Sequence, residues 1–119
     1  MLEAQDILDL EKQFGNFSYP KSFLKVNELN LVDYDYWYLM NKDQILTRRE
    51  GLLKRFSKRN LVPFARRGDN DDIACFEIGH GERVFIVHDY ADEGWERRQE
   101  FETFWNWFIS AINELIGLE

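Results

Sequence analysis

Two apolar runs, Ile73-Ala74-Cys75-Phe76 and Val84-Phe85-Ile86-Val87, stand on either side of the short segment Gly79-His80-Gly81-Glu82. Each run is too short for a buried helix, and the glycines between them supply the positive φ that a tight reversal needs. The pair therefore reads as an antiparallel hairpin. A polar loop, Gly68-Asp69-Asn70-Asp71-Asp72, leads into the first run, and the second ends in His88-Asp89-Tyr90 followed by an acidic link. An antiparallel hairpin brings the start of one strand and the end of the other to the same end of the sheet. These two acidic segments are thus expected to be neighbours.

The other elements follow from periodicity. Ile7, Leu10 and Phe14 share one helical face, predicting a helix over 2–14 stopped by Gly15. Pro20 suits a first helical turn, and Phe23, Leu24 and Val26 carry that helix to about 29. Tyr36-Trp37-Tyr38-Leu39-Met40 reads as a strand. Asn41 with Gln44 three residues on makes a capping box. The helix behind it is predicted to run to Lys58, with Ile45, Leu52, Leu53 and Phe56 inward and the Lys and Arg on the other face. Pro63 within Leu61-Val62-Pro63-Phe64-Ala65 points to the edge or the start of a strand. A last helix is expected over 96–116, its core stripe formed by Phe101, Phe104, Trp105, Phe108, Ile109, Ile112, Leu115 and Ile116, with Trp107 off the stripe. Helices, strands and a closing helix make an α+β fold, a single domain over 1–119 with a mainly antiparallel sheet and helices packed on one face.

At 119 residues the chain can bury roughly two thirds of its unfolded surface. Its mean hydropathy of −0.51 and the lack of a long apolar run leave no segment fit to span a membrane. The N-terminus is acidic and amphipathic, unlike a secretory leader, so a cytoplasmic protein is expected. The single cysteine, Cys75, lies inside an apolar strand, which excludes a disulfide scaffold and makes a poor nucleophile.

The net charge of −7 is unevenly distributed: residues 1–41 carry −4, residues 42–67 carry +7 and residues 68–119 carry −10. One basic segment in an acidic chain either lies beside the acids of its own fold or leaves two faces of opposite sign, one of them for a partner.

Recognisable catalytic patterns are absent: no nucleophile elbow, no HExxH, no CxxC, no phosphate loop. Asp69-Asn70-Asp71-Asp72 fails the calcium-loop pattern, since position 5 is Ile73, and reads as a turn. His80 falls in the hairpin turn. His88 and Asp89 are adjacent strand residues, and such neighbours point to opposite faces. No cofactor, no metal and no catalytic residue are expected. Around Trp95 the acids Asp89, Asp92, Glu93, Glu96, Glu100 and Glu102 exceed what capping a following helix requires, and an aromatic among charges marks a binding surface.

Several segments resemble the SUKH superfamily, the toxin-immunity and SMI/KNR-like domains. Leu61-Val62-Pro63-Phe64-Ala65 followed by Gly68-Asp69 and Ile73-Ala74-Cys75-Phe76 is similar to the family's apolar-Pro-Phe-Ala segment, Gly-Asp turn and strand. Val84-Phe85-Ile86-Val87-His88-Asp89 resembles the next strand. Glu100-Phe101-Glu102-Thr103-Phe104 resembles the closing Ser-Phe-x-x-Phe, with Glu100 replacing the serine. Tyr19-Pro20-Lys21-Ser22-Phe23-Leu24 resembles its early helix, Trp37 lies near its strand tryptophan, and the usual Asn-Gly after that helix is missing. The resemblance implies an α+β fold and a bacterial immunity role: direct binding of a cognate intracellular toxin domain, often a nuclease. Some relatives are regulatory interaction modules. No catalytic set is implied. An acidic inhibitor suits a nuclease, whose surface must be basic. The expected contact residues are Asp71, Asp72, Asp89, Asp92, Glu93, Trp95 and Glu96. The alternatives are a regulatory protein-interaction module and, less in keeping with the overall acidity, a nucleic-acid-binding domain using the basic segment 42–67.

Overall fold

In the computed structural model, which describes residues 1–117, the elements run α1 (Ala4–Phe14), α2 (Lys21–Glu28), β1 (Trp37–Leu39), α3 (Lys42–Arg55), β2 (Leu61–Arg67), β3 (Asp72–Glu77), β4 (Val84–His88), β5 (Arg97–Phe101) and α4 (Phe104–Ile116). The five strands form one antiparallel sheet in chain order, giving an α+β fold. The hairpin is as expected: Ile73 pairs with Val87 and Cys75 with Phe85, and Gly79 and Gly81 turn the chain at φ +92° and +61°. The Asn41–Gln44 capping box is formed in both directions, at 2.9 Å each way. Among the described residues no helix is long and apolar enough to cross a membrane.

Pro63 sits in β2 between two other strands, but β1 covers only Ala65 to Arg67. The register on the β3 side shifts between Pro63 and Ala65. Proline, lacking an N–H, is thus placed at an irregular, half-covered stretch of the strand.

Alternation along the strands separates two faces. On one, Phe64 stacks on Phe76 with ring centroids 4.5 Å apart, and Phe23 of α2 and Phe104 and Trp107 of α4 close around them at 4.9–6.3 Å. Helices α2 and α4 are the layer expected on one face. The opposite face carries Cys75 and Phe85 and is approached by the α3 segment: Arg59, just beyond α3, lies over the Phe85 ring at 5.0 Å. Burial there pushes the Cys75 thiol well up, in keeping with an inert core cysteine.

Five expectations are corrected. Residues 97–101 form an edge strand rather than the start of a helix, and α4 begins after Thr103, whose hydroxyl accepts from the Asn106 amide at 3.2 Å. The α4 core face is Phe104, Trp107 and Ala111, so Trp107 is 1% exposed, whereas Trp105, Ile109, Leu115 and Ile116 face outward. In α3, Ile45, Leu52 and Phe56 are buried but Leu53 is exposed. The arginines do not occupy the far face either: Arg48, Arg55 and Arg59 border the buried stripe, each three residues after a stripe member. The helix also stops at Arg55 rather than Lys58.

Trp107→Ala is expected to destabilise the fold by about 3–5 kcal/mol in urea unfolding, and Trp105→Ala by less than half of that. Equal losses would contradict the assigned face.

Candidate functional site

The acidic loops 68–72 and 89–96 meet at one end of the sheet, as the hairpin geometry requires. Asp72 pairs with His88 in the ladder, and the Asp89 amide donates to the Asp71 carbonyl at 3.3 Å. The acids do not, however, act as one patch.

Asp89 has a side chain with no exposed surface. Its carboxylate accepts from Arg48 Nη1 at 2.8 Å and from Arg55 Nη2, and Arg55 Nε donates to its carbonyl at 2.8 Å. Arg55 also lies over the Tyr90 ring at 4.8 Å. Glu96 is 6% exposed; it accepts from Arg59 Nη1 at 3.1 Å and from the Gly94 amide at 2.6 Å. Arg59 bridges onward to Glu77 at 2.8 Å. Burial raises the Glu96 carboxyl, but the amides of its own turn and the Arg59 guanidinium outweigh this and hold it below the usual carboxylate range. Of the expected contact residues, Asp89 and Glu96 are therefore internal ion-pair members, and three arginines of the basic segment are committed to them. The sequence signal was present: Arg48, Arg55 and Arg59 follow the 7- and 4-residue spacing of Ile45, Leu52 and Phe56, and arginines along the border of a buried stripe reach buried acids.

What the two ion pairs hold is the loop between them. The Trp95 amide donates to the Asp92 carbonyl at 2.9 Å, and Gly94 takes φ +95°, the conformation that the third position of a type II turn requires. The His88 amide donates to the Glu96 carbonyl at 2.7 Å, closing the loop base. At its tip Trp95 is 82% exposed, with Asp92 and Glu93 also exposed. Asp71 is exposed on the neighbouring loop, and Asp72 is half-buried with its Oδ1 3.4 Å from His88 Nδ1. Trp95 does not fold into the core, and the loop acids do not cap the last helix, because β5 comes between them.

The site thus brings together Asp71, Asp92, Glu93 and Trp95 at the surface and uses Asp89 and Glu96 as anchors. Asp89 turns toward the arginines of α3 and His88 toward Asp72, so the two do not converge as an acid–base pair. Among the described residues no cluster of His, Cys, Asp and Glu is arranged to hold a metal ion. No protein-family model matches the chain, and no curated protein shows significant similarity to it.

Losing Asp89 strands two guanidiniums. Asp89→Asn is expected to cost about 3 kcal/mol, the lower end of the range for breaking a buried pair, because both arginines retain some water. Asp92→Asn and Glu93→Gln should each stay within about 0.5 kcal/mol in the same urea assay.

Glu96 also sets a pH dependence. A carboxyl held low in the folded state contributes stability that is present above its unfolded value of about 4.3 and is lost as pH falls through the folded value. Glu96→Gln should lower stability at pH 7 and make the decline between about pH 5 and pH 2 shallower, as followed by thermal midpoints across that range.

Proposed function

We propose that this chain is a non-catalytic binding protein of SUKH type, an immunity protein that neutralises a cognate intracellular toxin domain, in keeping with a nuclease, by direct contact. The observation that carries the reading is Trp95: a large aromatic, 82% exposed, at the tip of a turn whose two ends are tied down by buried ion pairs. An uncovered tryptophan leaves up to roughly 150–250 Å² of mostly apolar surface in water, and tryptophans are enriched among binding hot spots. A turn fixed at both ends loses little freedom on binding. Asp71, Asp92 and Glu93 around it favour a basic partner and accelerate encounter.

A nucleic-acid role for the basic segment 42–67 has less support. Arg48, Arg55, Arg59 and Arg67 are paired with Asp89, Glu77, Glu96, Asp69 and Glu114, and Lys42 and Lys54 face Asp9 and Glu50. Among the described residues only Arg49, Lys58 and Arg66 of the segment lack an acid partner, too few to follow an extended phosphate backbone, which needs a run of free cations.

Co-expression with candidate nuclease toxin domains tests the reading. The parent should restore growth. Trp95→Ala should weaken toxin binding at least about 30-fold, the effect of a hot-spot residue worth about 2 kcal/mol. Asp92→Lys with Glu93→Lys should slow association and flatten its salt dependence while the fold is kept. Glu96 is unsuitable for such a reversal, since a lysine there faces Arg59. Unchanged protection by the Trp95→Ala, Asp92→Lys, Glu93→Lys triple variant would place the binding surface elsewhere.

A further inference from the structure

A cleft of about 500 Å³ lies between α3, β2 and Tyr90, on the sheet face opposite the aromatic core. Its volume is within the range of small-ligand sites, roughly 300–1,000 Å³. Three guanidiniums line it, Arg48, Arg55 and Arg66, against a single acid in its wall, Asp43. Counting the buried Asp89 behind Arg48 and Arg55, three positive charges face two negative ones. The cleft is therefore net positive in a chain of net charge −7.

The arginines also retain donors. Arg48 bonds Asp89 and Tyr90 through Nη1, and Arg55 bonds Asp89 through Nε and Nη2. This leaves Arg48 Nη2 and Arg55 Nη1 without a protein acceptor among the described residues, and Arg66 has no acid partner there at all. Thr47 adds a hydroxyl to the wall, while Met40 and the Tyr90 ring supply its apolar part.

Gly51 leaves room for the Arg55 guanidinium in the cleft wall. It lies inside α3, where glycine costs about 1 kcal/mol relative to alanine. A Cβ at this position would come within 2.8 Å of Arg55 Nη2. The helix thus forgoes a side chain where Arg55 folds back across it, and the guanidinium is held against the cleft rather than out in solvent.

We infer that this cleft is a binding site for a phosphate monoester carrying an organic group. A dianion with three acceptor oxygens suits several converging guanidiniums better than a lone carboxylate does. The volume exceeds what an inorganic phosphate fills, and the exposed part of the Tyr90 ring is left for the organic part. The site is separate from the Trp95 surface: it uses the opposite, basic character of the chain and needs no protein partner.

Isothermal titration of the purified full chain at low salt, with inorganic phosphate and with adenosine 5′-monophosphate as probes, tests this. Saturable binding of the nucleotide with Kd of about 1 mM or tighter is expected, at least several-fold tighter than inorganic phosphate. Arg66→Met should weaken it about tenfold or more, with circular dichroism and the unfolding midpoint reporting that the fold is retained. Lys58→Met removes the same charge from an exposed position outside the cleft and should leave binding unchanged. Gly51→Ala, which displaces Arg55, should weaken binding even if Arg66→Met does not fold. Three results overturn the inference: no saturation by either probe up to about 20 mM, which is beyond any useful affinity; equal affinity for the two probes; or losses in Lys58→Met equal to those in Arg66→Met, the mark of diffuse charge attraction.

Discussion

Asp89 takes a full negative charge out of water at the end of β4, and much of the molecule is arranged around that fact. A carboxylate without exposed surface is tolerable only if cations and donors replace its hydration. Arg48 and Arg55 do so from α3, seven residues and two helical turns apart, and both must reach across the sheet face to arrive. The ion pairs thereby fix where α3 lies along the sheet, while Arg59 repeats the device with Glu77 and Glu96. Replacement by well-packed apolar residues would serve stability equally well. What the charges add is placement, since a guanidinium fork accepts only a narrow set of positions for its carboxylate.

This arrangement resolves the uneven charge of the chain. A segment of +7 followed by one of −10 looks like two faces of opposite sign, but most of the opposition is satisfied internally. Arg67 shows the same economy at the end of β2, where it joins Asp69 at 2.8 Å and Glu114 at 2.6 Å and is held strongly protonated by them. The external field is left to acids with no arginine partner among the described residues, Asp92 and Glu93 among them.

Local signals carried the hairpin, the Asn41 cap and the first two helices, because each depends on residues within a few positions of one another. The elements that needed a distant partner were harder to read. Residues 97–101 became β5 because the free edge of β4 was available to pair with them, and nothing in Arg97-Arg98-Gln99-Glu100-Phe101 declares that edge. Phe101 and Phe104, three apart, imitated a helical stripe across what is in fact a strand end and a helix start. Within α4 the apolar residues occupy more of the circumference than one contact can bury. Phe64 and Phe76 decide the outcome by receiving Phe104 and Trp107, so Trp105 and Ile109 remain outside. The candidate site was half legible for the same reason. Its location at the meeting of two loops followed from hairpin geometry, but which carboxylates were free depended on where α3 crosses the sheet.

The division between free and committed acids gives the loop 89–96 its mechanical character. Had Asp89 and Glu96 been exposed like Asp92, the segment would be a charged loop with many conformations, and ordering it on a partner would offset part of the binding energy. With both ends buried and paired and Gly94 supplying the turn, only the short stretch from Tyr90 to Trp95 remains free to vary, and its amide and carbonyl bonds restrict even that. Trp95 is then presented from a fixed position, which is the condition under which a single aromatic can dominate an interface. The same pairing orients Arg48 and Arg55 along the neighbouring cleft. One buried carboxylate therefore prepares two surfaces of opposite charge on either side of itself, and any substitution at Asp89 is bound to disturb both together.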